Sequence, residues 1–193
     1  MAFHLFYVTF APVMSDIATE LAKLHTLTGA EYSRQVERLA LRKEFHLIED
    51  EVDIYSAIDN QHEDYDNLLN ASRKAVERGY KVFILPNPKG VRTADVILER
   101  RGIYRMYDVK TIQGRSSAAN RLTESIGQTK HVLLNLATDY NGGLLGVQVK
   151  TYFEANPNAL EVLIFKGKQT FSIKRKYALQ KDFILRFKKE YGK

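Results

Sequence analysis

Apolar residues recur every three or four positions in the first third of the chain, which is the spacing of amphipathic helices. One predicted helix begins after Ser15 and another spans residues 28–45. The apolar stretch at residues 1–10 is short and has no lysine or arginine before it, so it predicts a buried first strand rather than a signal peptide. We therefore expect residues 1–66 to form a mostly helical N-terminal segment.

Beyond residue 66 the pattern changes between helical spacing and short apolar runs. Strands are predicted at residues 80–85, 94–98, 103–112 and 130–136, with a hairpin of residues 160–165 and 169–174. Helices are predicted at residues 66–78, 117–127, 144–153 and 177–191. Because a helix separates the third strand from the fourth, a right-handed crossover is available there. Residues 67–193 are thus expected to form an α/β domain with a mixed central sheet and flanking helices.

Charge is distributed unevenly along the 193 residues. Residues 1–66 carry a net charge of −8 and residues 67–193 a net charge of +14. Such a basic region attracts a polyanion, most plausibly nucleic acid, although a solvated basic surface is the simpler alternative. The chain has no cysteine, which excludes disulfides, a thiol nucleophile and a thiolate zinc site. No stretch approaches the length of a membrane span, so we expect a cytoplasmic site of action, in its own cell or in another.

The most informative chemistry lies in residues 93–112. Asp95 begins one short apolar strand, and Asp108 and Lys110 lie two positions apart on the next, which places them on one face. If the two strands form a hairpin through Arg101-Gly102, Asp95 comes close to Asp108. Two carboxylates of this kind hold a hard divalent cation such as Mg²⁺ or Mn²⁺, and a lysine supplies positive charge at a phosphate. The alternative is an ordinary ion pair on a strand.

Asp95 followed by Asp108-Val109-Lys110 resembles the core of the PD-(D/E)xK nuclease superfamily. The predicted order of one helix, three strands, one helix and one strand is similar to the common core of that superfamily. The resemblance implies metal-dependent hydrolysis of phosphodiester bonds, with Asp95 and Asp108 as metal ligands and Lys110 as their catalytic partner. Zn²⁺ is a further candidate for the cation.

Two other catalytic positions are implied by the same resemblance. Members often carry an acidic residue on the first helix, for which Glu77 is the best match and Glu63 a weaker one. Members also often carry a polar residue on the helix after the Asp-x-Lys strand, and Gln128 is the match here.

The segments D-V-K-T-I, S-S-A-A-N and G-Q-T-K-H-V-L-L-N-L resemble the C-terminal toxin nucleases of bacterial contact-dependent inhibition and related polymorphic toxins more closely still. This resemblance covers residues 67–175. It implies a secreted ribonuclease that is delivered into a target cell and acts on tRNA, with DNA as the other possible substrate. It also implies a small acidic immunity protein as a partner.

Polar and basic residues that follow the Asp-x-Lys strand are the candidates for contacts with nucleic acid. A helix N-terminus with hydroxyl groups and arginine suits a phosphate, although the serine can equally cap the helix. The candidates are Thr111, Arg115, Ser117, Arg121, Lys130 and His131.

Two other functions stay open at this point. Metal-independent RNases of the barnase/EndoU/colicin/RelE-like group show a similar rhythm of helices and strands, and cleave through the 2′-hydroxyl. Under that interpretation the chemistry would be carried by His131, Lys110, Thr111, Arg115 and Ser117. The second alternative is a non-catalytic nucleic-acid-binding protein of a phage or mobile element.

Overall fold

The computed structural model describes residues 17, 19–24, 27–57, 64–87, 93–114 and 117–193. The predicted first strand at residues 1–10, the helix cap at Ser15, and the candidate residues Glu63 and Arg115 lie outside the described residues. In the part of the chain that is described, no helix is long and apolar enough to cross a membrane.

Helices and strands alternate along most of the chain. The helices are α1 (Gly29–Ala40), α2 (Tyr65–Val76), α3 (Ala118–Glu124), α4 (Gly142–Ala155), α5 (Arg175–Ala178) and α6 (Phe183–Tyr191). The strands are β1 (His46–Leu47), β2 (Ile54–Ser56), β3 (Lys81–Ile84), β4 (Val96–Arg100), β5 (Ile103–Ile112), β6 (His131–Leu136), β7 (Glu161–Lys166) and β8 (Gln169–Lys174). Residues 17 and 19–24 are also helical.

All eight strands form one mixed sheet in the order of the sequence. Strand β2 runs parallel to β3, and β5, β6 and β7 run parallel to one another. The remaining neighbours are antiparallel. The predicted α/β class, the mixed central sheet and the N-terminal helical part are therefore confirmed.

Helices cover both faces of the sheet, because side chains on a strand point alternately to its two sides. Helix α2 packs through Leu68 and Ala75 on the face that carries Leu133 of β6. Helices α3, α4 and α6 pack on the opposite face, which carries Val132 of β6. Helix α1 packs against Met106 of β5. Strand β5 therefore lies in the centre, with helices on both sides.

Strands β1 and β2 are absent from the sequence prediction, which places residues 49–53 in a solvated turn or helix start. With two and three residues, they are too short to show the alternation of a strand. Strand β2 pairs with β3, so residues before position 66 contribute to the same sheet as residues after it. The division into residues 1–66 and 67–193 stays a prediction.

The C-terminal helix predicted over residues 177–191 is two helices, α5 and α6. The apolar spacing runs through the break at Leu179, but this side chain is exposed. Helix α6 instead buries Phe183, Phe187 and Tyr191, one turn apart, against α4. The apolar spacing of the sequence therefore continues through a residue that does not pack, and it predicts one helix where the structure has two.

The start of α4 lies so close to α6 that only glycine fits at position 142. A Cβ atom on Gly142 would lie 2.9 Å from Cγ of Tyr191, well inside the normal contact distance. We expect Gly142→Ala to lower the free energy of unfolding by about 1 to 3 kcal/mol, as overpacking does elsewhere. Urea unfolding of the purified variant measures this.

Gly143→Ala is the matched control for this prediction. A Cβ atom there would lie 3.3 Å from Oδ1 of Asn141 and 3.7 Å from Cδ of Lys188, and helix propensity favours alanine. We expect its stability to change by less than about 1 kcal/mol. Equal losses in the two variants would contradict the close approach of α4 and α6.

Candidate functional site

The hairpin of β4 and β5 brings the two candidate carboxylates together. Arg101 and Gly102 form its two-residue turn with φ angles of 54° and 76°, and a type I′ turn requires positive values at both positions. The resulting register pairs Val96 with Tyr107, so Asp95 lies beside Asp108. The hairpin predicted from the sequence is therefore present, and it juxtaposes these residues as expected.

Strand β4 is five residues long and β5 is ten, so beyond Tyr107 this edge of β5 pairs with no strand among the described residues. The first N–H on this edge, that of Val109, donates a hydrogen bond of 2.7 Å to Oδ2 of Asp95. A side-chain carboxylate thus takes the place of the strand carbonyl that would continue the ladder. This contact orients Asp95 toward the open edge of the sheet.

Asp108 and Lys110 lie on the same face of β5, as their spacing predicts. Nζ of Lys110 donates a hydrogen bond of 2.9 Å to Oδ1 of Asp108. The Asp108 side chain is fully buried, whereas that of Lys110 is 16% exposed. The second oxygen of Asp108, Oδ2, has no donor among the described residues. A buried carboxylate oxygen without a donor is costly, and either a bound cation or a proton shared with the carboxylate of Asp95 can satisfy it.

Burial and mutual repulsion keep both carboxyl groups from ionising readily. Burial, and next the charge of Asp95, raise the pKa of Asp108 to about 7, although Lys110 acts against this. Burial likewise raises the pKa of Asp95, opposed by the N–H of Val109 and by the charge of Lys110. Two carboxyl groups in this relation either share a proton or require a cation.

The two carboxylates suit a cation such as Mg²⁺, which keeps several waters, better than a metal ion that is held by protein ligands alone. The described residues contain no group of three or more His, Cys, Asp or Glu side chains placed to hold a metal. Mg²⁺ is usually held by only one or two carboxylates, with waters and phosphate oxygens in its other positions. Asp95 and Asp108 therefore fit such an ion, with Oδ2 of Asp108 as a free ligand atom.

A cleft of about 370 Å³ opens beside the free edge of β5, between this edge and the first turn of α2. Of the predicted site residues, Asp95, Lys110, Thr111 and Arg121 line it. Asp108 is fully buried and is not part of the lining, but it contacts Lys110, which is. The structure thus brings these five residues of the prediction together.

Four other predicted residues lie away from this cleft. Glu77 follows the last turn of α2, at the opposite end from the cleft, and its side chain is 72% exposed. The amide of Gln128 donates to the carbonyl of Glu124 at 3.1 Å. Lys130 lies over the ring of Tyr32, and its Nζ is 3.4 Å from the carbonyl oxygen of Leu27. Ser117 caps α3 by accepting a hydrogen bond from the N–H of Ala119 at 3.2 Å.

Asp64 is a cleft residue that sequence reasoning did not select. It immediately precedes α2, lines the cleft, and its negative charge helps to raise the pKa of Asp95, after burial. The sequence does contain a signal, an acidic patch at residues 61–66 before the helix predicted at residues 66–78, although carboxylates at this place also suit the helix dipole. An acidic residue in the cleft lining thus directly precedes α2, next in sequence to the weaker candidate Glu63, whereas the preferred match, Glu77, lies at the other end of the helix.

His131 is buried on the face of the sheet opposite to Asp108. Its ring centroid lies 5.4 Å from that of Tyr107, whose hydroxyl donates to Glu161 at 2.8 Å. Only 6% of His131 is exposed, and its Nδ1 has no partner in the described part of the chain. Burial lowers the pKa of His131 to about 4. This residue is therefore a neutral core histidine and does not reach the cleft.

The lowered pKa of His131 makes stability depend on pH in one direction. The unfolded chain binds a proton at this residue below about pH 6.5, but the folded chain does not until about pH 4, so stability falls as the pH drops through this window. When the pH is lowered from 7 to 4.5, we expect the free energy of unfolding of His131→Phe to fall by about 2 to 3 kcal/mol less than that of the parent chain. Urea unfolding at both pH values measures the difference, with the exposed His46→Phe as control. Parallel losses in all three proteins would contradict the buried neutral state.

Comparisons with known proteins give little further information. No protein-family model matches the chain, and no curated protein matches it. Among solved structures, the chain is similar to a chain of the CdiA-CT/CdiI toxin and immunity complex from Burkholderia pseudomallei, with 15% identity and a TM-score of 0.40. The similarity covers 60% of this chain and 90% of that chain.

Proposed function

We propose that this chain is a divalent-metal-dependent nuclease that hydrolyses phosphodiester bonds, with RNA as its substrate. The observation that carries the proposal is the convergence of Asp95, Asp108 and Lys110 at an open cleft, with one buried oxygen of Asp108 lacking a donor. Asp95 and Asp108 would hold Mg²⁺ or Mn²⁺. When bound, such a cation polarises the scissile phosphate and lowers the pKa of a coordinated water.

The protein groups contribute orientation and charge. The N–H of Val109 orients the carboxylate of Asp95 in the lining of the cleft. Asp108 holds the ammonium of Lys110 at 2.9 Å, and Lys110 lines the cleft with that point charge. An ammonium in this place stabilises the negative charge that develops on the phosphate oxygens in the transition state.

The geometry favours this mechanism over the two alternatives. A metal-independent RNase would need His131 beside Lys110, and these residues lie on opposite faces of β5 and its neighbours. A protein that only binds nucleic acid has no use for two buried carboxyl groups that repel each other, because such a pair destabilises the fold.

The choice of RNA and the biological role rest on the resemblance of residues 67–175 to polymorphic toxin nucleases and on the net charge of residues 67–193. We propose a bacterial toxin that acts on tRNA in the cytoplasm of a target cell and is neutralised by a small acidic immunity protein. Opposite charges would accelerate the association of that pair.

Incubation of the full chain with total tRNA and with plasmid DNA tests the activity. We expect tRNA to be cleaved in Mg²⁺ or Mn²⁺, and cleavage to stop in EDTA and to return when Mg²⁺ is added in excess. Cleavage that continues in EDTA would overturn the metal-dependent mechanism, and binding without cleavage would overturn the enzymatic one.

Growth arrest on expression inside bacterial cells tests the proposed role separately. We expect the parent chain to arrest growth and Lys110→Ala to permit it. Equal toxicity of the two chains would show that growth arrest does not depend on Lys110.

A further inference from the structure

The cleft is lined by neutral polar side chains as well as by the charged groups of Asp95 and Lys110. Three amide side chains, those of Asn67, Asn87 and Gln113, line the cleft. Asn67 lies in the first turns of α2, and Gln113 directly follows β5, so two elements on different sides of the cleft supply these groups. Amide side chains both donate and accept hydrogen bonds, which suits a neutral polar ligand.

Two of these amides are tied to each other. Nε2 of Gln113 donates a hydrogen bond of 2.7 Å to Oδ1 of Asn67. This contact fixes both amide planes and leaves Oε1 of Gln113 as an acceptor and the amide nitrogen of Asn67 as a donor. The lining of the cleft therefore presents an acceptor and a donor on two side chains that already orient each other.

The net charge of the cleft lining does not favour binding of a second phosphate in addition to the scissile one. In the described lining, Asp64 and Asp95 balance Lys110 and Arg121. Arg121 is further neutralised by Glu124, at 2.9 Å. A phosphate needs an excess of positive charge, whereas this lining has none to spare.

Apolar side chains also line the cleft. Leu68 of α2 and Val109 of β5 line it together with the amides. An apolar surface with a few oriented polar groups is the usual composition of a small-ligand site. A flat, uncharged ring with donors and acceptors on its edge matches both features.

We infer that Asn67 and Gln113 form a nucleobase-binding subsite, which makes cleavage selective for the base next to the scissile phosphate. Every nucleobase carries adjacent donor and acceptor groups on its edges, and proteins read unstacked RNA bases through such edges. The selectivity of cleavage rests on the proposed nuclease activity, but binding of the base does not.

Cleavage of an end-labelled RNA oligonucleotide that contains all sixteen dinucleotide steps tests the inference. We expect the parent chain to cut next to one type of base at least tenfold faster than next to the others, since one well-placed pair of hydrogen bonds discriminates to about that degree. Gln113→Leu and Asn67→Leu should reduce this selectivity by about tenfold. Asn70→Leu, at an exposed position on α2 outside the cleft lining, is the matched control and should keep it.

Binding in EDTA separates this inference from the proposed function. Fluorescence anisotropy with labelled hexamers of A, of C and of U measures base preference without turnover. A preference that both cleft variants lose and Asn70→Leu keeps supports the subsite even if no RNA is cleaved. Equal affinities for the three hexamers together with unselective cleavage would overturn the inference. Unchanged selectivity in both cleft variants would also overturn it. So would an affinity that changes on 2′-deoxy substitution of the RNA but not with the identity of the base.

Discussion

Asp108→Asn is expected to lower the rate of RNA cleavage at least about 1000-fold while leaving the fold at least as stable as that of the parent chain. The substitution keeps the shape of the side chain and leaves an oxygen that accepts from Lys110. It removes the negative charge that would hold the cation. It also removes repulsion with Asp95, which together with burial raises the pKa of Asp108 in the parent chain.

Two measurements are needed for this prediction. The cleavage rate in Mg²⁺ gives the loss of function, and thermal unfolding at pH 7 in EDTA gives the stability without any contribution from a bound cation. Asp66→Asn, at an exposed position in the first turn of α2, is the matched control and should retain full activity. A strongly destabilised Asp108→Asn would show that the buried carboxylate holds the fold together rather than serving function.

Lys110→Met is expected to lower the maximal cleavage rate by about 100-fold to 1000-fold. Methionine keeps most of the aliphatic length of lysine, but it has no ammonium to place in the cleft. Asp95 and Asp108 both remain, and Oδ1 of Asp108 loses its donor, so the carboxylates stay available to a cation. The half-saturating concentration of Mg²⁺ should therefore not increase.

A titration of cleavage rate against Mg²⁺ distinguishes the roles of the two residues. Asp108→Asn should weaken the response to Mg²⁺, whereas Lys110→Met should lower the plateau at saturating Mg²⁺. Lys81→Met, which changes an exposed lysine at the start of β3, serves as the control and should follow the parent curve. A plateau that Lys110→Met leaves unchanged would remove Lys110 from the catalytic group.

The central part of the site could be predicted because its signals are local. The spacing of Asp108 and Lys110 fixes a common face on a strand, and Arg101-Gly102 marks the turn that brings Asp95 beside them. No tertiary information is needed for either step. The same holds for the order of strands and helices after residue 66, where apolar runs and glycines follow one another closely.

The rest of the site could not be predicted, because it depends on how helices and strands pack against one another in three dimensions. Asp64 and Glu77 flank the same helix, and only the packing of α2 on the sheet decides that its first turn reaches the cleft. Lys130 and His131 follow the helix that comes after the Asp-x-Lys strand, yet His131 packs beside Tyr107 on the other face of the sheet. The amide pair of Asn67 and Gln113 joins residues 46 positions apart, and nothing in the sequence links them.

The early end of β4 has a consequence for how this cleft could be closed. Among the described residues no strand pairs with β5 at the N–H of Val109, and the side chain of Asp95 accepts its hydrogen bond instead. If β4 began two residues earlier in the same register, a backbone carbonyl would accept the hydrogen bond of the Val109 N–H, and the pairing of β4 with β5 would continue. The carboxylate would be displaced, and the cleft beside this edge would be filled by a strand. The length of β4 is therefore as much a requirement of the site as the identity of its acidic residues.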